Sequence, residues 1–271
     1  MTPEQEIKIQ KIIVDKMPDQ IKLPYGLWTR QAVKDLIKRE FGIEVAIRTM
    51  GDYLHRWGFS PQKPKLRAYE QNPKEVEKWL KEQYPKIAES AKKENAVIHW
   101  GDETGVRNDC QHGRSYAPKG KTPVRQKMAK RITLNMISTV TNQGMVRFMT
   151  YSTNMNSAVF ITFLKRLIKG SGKKIYLIVD NLRVHHSKPV KEWVEKNKEL
   201  IEMFFLPSYS PERNPDEYLN CDLKTGLANK PSPKNVKQMK QNIHSHMRLL
   251  QRKQNRVGNY FKHESIKYAA A

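Results

Sequence analysis

Cysteine is nearly absent from this 271-residue chain: Cys110 and Cys221 lie far apart and form no paired-cysteine motif. That excludes a disulfide scaffold and a cysteine-type zinc site. Long apolar runs are missing too. None reaches the ~18 residues that a spanning helix needs. The first residues, MTPEQEIKIQKIIVDK, are too polar for a secretory core and too acidic for a transit peptide. A soluble, cytoplasmic protein is the expectation. Negative charge is scarce as well. Asp plus Glu number 27 against 50 Lys plus Arg, a formal net charge of +23. The natural partner is a polyanion, so nucleic acid and an anionic membrane surface are the two candidates. Enough apolar residues remain for a sizeable core, with 38% hydrophobic and 9% aromatic, which excludes a wholly disordered chain.

The positive excess is uneven. Residues 1–95 carry a net +5, residues 96–150 +6 and residues 151–223 only +2. Residues 224–271 carry +10, with one acid, Glu264, among eleven bases. A solvated surface mixes both signs, as residues 70–95 do. A segment this one-sided fits phosphate contact. A tail that only aids solubility is the competing reading.

No repeat or low-complexity tract interrupts the chain. In residues 28–59, Ala32, Val33, Leu36, Ile37 and Phe41 fall at helical spacing, and Gly42 breaks the run. Val45, Ile47, Met50, Leu54 and Trp57 then fit a second helix that Gly58 closes. Two short helices around a tight turn predict a helix-turn-helix. Arg48, near the start of the second helix, is the candidate for base contact, with His55 and Arg56 more suited to the DNA backbone. Residues 1–59 thus form a DNA-binding region. Residues 60–94 form a proline-rich linker and a connecting amphipathic helix at 74–94. Beyond it the pattern predicts a strand at 96–100 and a hairpin, 132–140 with 145–151. A helix at 157–169, a strand at 174–179 and a helix at 188–198 follow. A strand at 201–206 and a helix from Pro215 complete the series. That order gives an α/β fold, a mixed sheet with helices on its faces, over residues 95–228. A basic helical tail follows at 229–271.

Three acids fall at element junctions: Asp102 after the first strand, Asp180 at the end of KIYLIV, and Glu217 just inside the last helix. Ligands of open α/β sheets bind beyond the carboxyl ends of strands. Carboxylates gathered there suit two Mg²⁺ ions, which favour hard oxygen donors. Two ions about 4 Å apart serve phosphodiester chemistry. Taken singly, each acid also fits a turn or a helix start, and Asp216 would serve a helix start as well as Glu217. Arg114, Lys119, Lys121 and Arg125 follow the first acid and suit DNA phosphates. His185 and His186 follow the second, in a loop. Tyr209 lies among prolines in LPSYSPERNP, a stiff loop leading to Glu217.

The stretches WGDETG, GRSYAPKGKTPV, IVDNLRVHHSKPVKEWV and FFLPSYSPERNPDEYLNCDLK carry a specific likeness. From about Trp28 to Leu227 the chain resembles the bacterial insertion-sequence branch of the mariner-type transposases. The resemblance implies an RNase H-like catalytic core with a DDE triad, preceded by a small winged-helix-like helix-turn-helix domain. The triad maps onto Asp102, Asp180 and Glu217, the last two 37 positions apart. It also implies Mg²⁺, with Mn²⁺ substituting, and double-stranded DNA as partner, both terminal inverted repeats and target. A homodimer in the DNA complex is expected, with no membrane partner. Asn181, His185, His186, Tyr209 and Asn214 become candidate substrate contacts. Two departures stand out. The family usually carries two tandem helix-turn-helix units, whereas 27 residues precede Trp28 here, room for one helix, so a reduced or truncated first unit is expected. Many relatives also have an aromatic residue three places after the glutamate, where this chain has Asn220. A truncated, regulatory DNA-binding derivative and an RNase H-like nuclease without strand transfer are the alternatives.

Overall fold

The computed structural model describes residues 1–64, 68–109, 116–124 and 129–270. The chain divides into two compact units, Met1–Leu66 and Arg67–Ala271.

The first unit contains three α-helices: α1 (Pro3–Asp15), α2 (Arg30–Phe41) and α3 (Ile47–Arg56). Thr2 and Gln5 form a capping box at α1, and the Thr29 hydroxyl accepts the Ala32 N–H at α2. Gly42 ends α2 at φ 68°, a left-handed turn that glycine takes without steric cost. Ile9 from α1, Val33, Leu36 and Ile37 from α2, Val45 from the turn and Met50 from α3 share one small core. The regular elements among the described residues of this unit are all helical.

The second unit opens with α4 (Pro73–Lys78), a five-residue π turn (Trp79–Gln83) and α5 (Tyr84–Lys93). The single helix expected over 74–94 is thus interrupted ahead of Pro85, which has no N–H for a regular helix bond. Then come β1 (Val97–Arg107), β2 (Thr133–Val140), β3 (Val146–Tyr151), α6 (Ser157–Lys169), β4 (Ile175–Val179), α7 (Lys188–Lys196) and β5 (Ile201–Phe205). Finally α8 (Asp216–Ala228), α9 (Val236–Arg252) and α10 (Gln254–Gly258) lead into short 3₁₀ turns. The five strands form one sheet in the order β3-β2-β1-β4-β5. β2 pairs antiparallel with both β1 and β3, whereas β4 and β5 run parallel to β1. On one face Trp100, Met136, Val146, Tyr176 and Ile178 bury against α5, α8 and α9. On the other Ile137, Met149, Leu177 and Val179 bury against α6 and α7.

The expected basic tail is part of the core. α9 inserts Met239, Ile243, Met247 and Leu250 into the first cluster, and Val257, Phe261 and Ala269 follow. Their helical spacing hid them among polar residues in the sequence. A buried carboxylate ties the segment down. Asp222 of α8 accepts from His246 Nε2 (2.9 Å), Arg256 Nε (2.7 Å) and the Tyr260 hydroxyl (2.6 Å). Gly144 in the β2–β3 turn packs on the same segment: a Cβ there would lie 2.2 Å from the Gln254 carbonyl oxygen.

Asp222→Ala leaves three donors without their acceptor and should cost about 2–4 kcal/mol in urea unfolding. Burial opposes its ionisation, yet the Tyr260, Arg256 and His246 hydrogen bonds outweigh it and hold the carboxyl below its ordinary range. The difference between wild type and variant is therefore full above about pH 4 and shrinks as pH falls below it.

Candidate active site

Strand register places the first two acids side by side. β1 and β4 pair in parallel from Val97–Ile175 to Trp100–Ile178. Two steps beyond that last pair along each strand lie Asp102 and Asp180. Asp102 is not at the end of its strand, as the sequence suggested. β1 continues to Arg107 because β2 pairs with it from Trp100 onward, while β4 stops at Val179. The early end of β4 opens a notch beside Asp102.

Asn214 brings the third acid to that notch. Its side-chain amide donates to the Gly101 carbonyl (2.9 Å), and its oxygen accepts the Asp216 N–H (3.0 Å). The first turn of α8 is thereby pinned to β1. Asp102, Asp180 and Glu217 line one cleft of about 440 Å³, together with Asn181, Tyr209 and Asn214. Asp216 points elsewhere: it is fully buried and accepts from the Ser138 hydroxyl (2.7 Å). Burial and the nearby Asp102 raise its carboxyl well above the usual range.

The acids of the cleft repel one another. Burial, then the charges of Glu217, Glu103 and Asp180, push Asp102 up to about 8. Burial and Asp180 raise Glu217 as well, with Lys224 partly offsetting them. Asp180 goes the other way, because hydrogen bonds from His185 and the Leu182 N–H outweigh its burial.

His185 is not a loop histidine open to substrate. Its side chain is fully buried, with the ring 4.5 Å from that of Phe160. Nε2 donates to Glu103 Oε1 (3.0 Å); Nδ1 faces the Asp180 carbonyl (3.1 Å) and carboxylate (3.3 Å). Burial would lower its pKa, but these acceptors push it up to about 10, so the ring is an imidazolium. Glu103 projects to the opposite face of β1 from Asp102, as strand alternation requires. The ligating atoms of Glu103, Asp180 and His185 lie within 4.8 Å of one another, a spacing that suits a metal ion. Both ring nitrogens face these acceptors, so His185 clamps Asp180 to Glu103. His186 is a second brace: it donates to the Asn181 amide oxygen (3.1 Å) and stacks on Phe205 (4.2 Å).

Two residues escaped sequence reasoning. Asn220 donates to Asp102 Oδ2 (2.9 Å), one helical turn after Glu217 on the same face of α8. Its i,i+3 spacing in DEYLN was the available signal. Gln71 donates to the Tyr209 carbonyl (2.9 Å), the Ser210 hydroxyl and Glu212, and no sequence pattern marks it. The loop it holds is further braced by Arg213 donating to the Ser265 carbonyl and Tyr268 donating to the Arg213 carbonyl. Tyr209 sits at the cleft in left-handed backbone, φ 55°, and is 58% exposed.

Of the candidate DNA contacts, Arg114 and Arg125 lie outside the described residues, and Lys119 and Lys121 are exposed. In the first unit Arg48 is exposed at the second position of α3, and His55 is exposed in its last turn. Arg56 is already occupied: it donates to Glu6 Oε1 (2.6 Å) and lies 4.6 Å above the Tyr53 ring. It ties α1 to α3 while its side chain stays 61% exposed.

Residues 97–240 match the family described as DDE superfamily endonuclease, and residues 24–83 match a winged helix-turn-helix family. The chain belongs to the DDE superfamily endonucleases. The fold of this enzyme is similar to that of Mos1 transposase in several solved complexes. The Mos1 mariner paired-end complex with Mn aligns at 14% identity and TM-score 0.63, over 100% of this chain and 80% of that one. The Mos1 strand transfer complex aligns at 13% identity and TM-score 0.62, again over 100% and 80%. The paired-end complex with Mg aligns at 15% identity and TM-score 0.62, over 99% and 80%. At such identities the likeness is one of fold, an RNase H-like sheet preceded by a helical DNA-binding type of domain. The expected DDE family is borne out, and the likeness to a mariner transposase is one of fold. No curated protein matches the chain in sequence.

Crowded carboxylates have a measurable cost. Asp102 holds its proton more tightly folded than unfolded, so its contribution to stability falls as pH rises from about 4 towards 8. With metal chelated, Asp102→Asn should stabilise the enzyme at pH 8 by roughly 1–3 kcal/mol, allowing for the openness of the cleft to solvent, and by nothing at pH 4. Urea unfolding at the two pH values measures it.

Proposed function

We propose that this DDE endonuclease is the transposase of an insertion sequence. It cuts phosphodiesters at the element ends and joins the freed 3′-hydroxyl to target DNA. The observation that carries the reading is the cleft in which Asp102, Asp180 and Glu217 meet, inside the segment that matches the DDE endonucleases. The donor set fits a divalent cation. All three side chains offer hard oxygens. Burial, then neighbouring carboxylates, raise Asp102 and Glu217, and neither has a Lys or Arg ion pair among the described residues. Asp102, Asp180 and Glu217 would hold Mg²⁺ or Mn²⁺, with two ions as the working assignment. When bound, such cations supply the positive charge that activates an attacking oxygen and stabilises a leaving one.

The chain's own residues prepare the site. Asn220 fixes one oxygen of Asp102, His185 orients Asp180 from the opposite face of the sheet, and Asn214 sets the start of the Glu217 helix. The braced loop with Tyr209 walls the cleft, which keeps reacting groups in register. Asn181 stands beside it. Water, and then the 3′-hydroxyl, takes the nucleophile's place in successive steps. Lys119 and Lys121, with Arg114 and Arg125, grip phosphates. In the helix-turn-helix, Arg48 reads a base edge of the terminal inverted repeat in the major groove. Two ends held together call for a homodimer on DNA.

The decisive assays offer Mg²⁺ and either uncleaved terminal-repeat duplex, to read cleavage, or pre-cleaved duplex with target DNA, to read joining. Wild type should produce joined strands; cleavage without joining would leave a nuclease, and binding without cleavage a regulatory derivative. Glu217→Gln should lower joining at least about 10³-fold while duplex binding stays close to wild type. Asp216→Asn should keep near-normal joining, since Asp216 lies outside the cleft lining and an amide oxygen can accept from Ser138 as its carboxyl does. The reverse pattern would show that the wrong neighbour was assigned.

Arg48→Ala should weaken binding to the cognate repeat by ~1–3 kcal/mol and leave shuffled duplex almost unaffected. Competition binding with the two duplexes checks it. Equal loss on both would remove Arg48 as a base reader.

A further inference from the structure

Outside the cleft and the helix-turn-helix, the outer face of α9 carries a continuous row of cations. Lys237, Lys240, His244, Arg248 and Arg252 of α9 line a groove of about 950 Å³. Their spacing of three or four residues puts them in one stripe along the helix. At 1.5 Å rise per residue the stripe runs about 22 Å. The opposite face of α9 carries Met239, Ile243, Met247 and Leu250 into the core, so the stripe is rigidly mounted.

Several other surface bases are paired with acids. Arg256 nearby is neutralised by Asp222 at 2.7 Å. The helices before β1 expose matched pairs, Glu77 with Lys81 and Glu89 with Lys93. Lys237, Lys240, Arg248 and Arg252 have no carboxylate partner among the described residues. His244, held by the Thr150 hydroxyl at 3.0 Å, is kept below its usual range by burial and then by Lys240 and Arg248. A face meant only for solvation would intersperse acids to relieve that repulsion. A straight row of cations instead matches the sugar–phosphate backbone, which carries one charge per ~1.7 Å of duplex axis.

We propose that the outer face of α9 is a further duplex-DNA contact, gripping phosphates without regard to sequence. It rests on the transposase reading only in taking duplex DNA as the partner. Because α9 also fills the core, deleting the segment is no test; neutralising the stripe is. The variant K237Q/K240Q/R248Q/R252Q changes four exposed side chains and should unfold thermally close to wild type. If it does not, K240Q/R248Q replaces it. The measurement is affinity of the full chain for a random-sequence duplex across a salt series, with K81Q/K93Q as control. Each lost phosphate contact flattens the plot of log K against log salt by about 0.9, so the fourfold variant should lose about 3–4 of slope and the double variant nearly 2. The control should lose at most a small fraction of that. If wild type binds and the stripe variants keep its full slope, the α9 contact is overturned and the transposase reading stands. If wild type binds no duplex at all, the transposase reading falls and this contact with it.

Discussion

Three carboxylates share a half-buried cleft, Asp102 and Glu217 without a Lys or Arg ion pair among the described residues, and the catalytic unit is organised around keeping them there. Ionised together they repel, and burial strengthens the repulsion. Asp102 responds by holding a proton up to about pH 8. The surrounding residues prevent the geometric response, which would be to move apart. Asn214 ties α8 to β1, Asn220 ties α8 to Asp102, and buried His185 ties Asp180 to Glu103 across the sheet. Stability is given up locally so that a charged ligand finds its donors already placed.

That local cost needs support elsewhere, and the C-terminal segment provides it. α9 and the turns after it cover the sheet face that α8 shares, and Asp222 locks α8 to both. Ser265 and Tyr268, near the end of the chain, hold the loop that walls the cleft. The same segment therefore carries apolar packing, loop bracing and an outward row of cations. Its charge and its burial are two faces of one amphipathic helix, not competing descriptions.

The order of elements was legible from periodicity alone, because each strand run is short, apolar and bounded by turn residues. The three acids were legible because they fall where those runs end. What could not be read was partnership. Asp102 reads as a strand end only if β1 has β4 alone as neighbour; the antiparallel partner β2 carries the strand past it. His185 reads as a loop residue until the fold closes Phe160 and Glu103 over it. Asn220 read as a family departure, yet it holds Asp102. Arg56's ion pair was invisible too, since nothing in the sequence links it to Glu6, fifty positions away. The basic tail concealed its core residues because Met239, Ile243, Met247 and Leu250 are diluted by bases at helical spacing.

The central claim is that Asp102, Asp180 and Glu217, on the open side of the sheet, form the cation site. Calorimetric titration of Mn²⁺ into the full chain near neutral pH tests it without reference to DNA. Asp102→Asn and Glu217→Gln should each weaken binding by at least about tenfold relative to wild type. Undiminished Mn²⁺ affinity in both variants, with loss in Glu103→Gln, would put the ion in the His185 cluster on the opposite face and contradict the account.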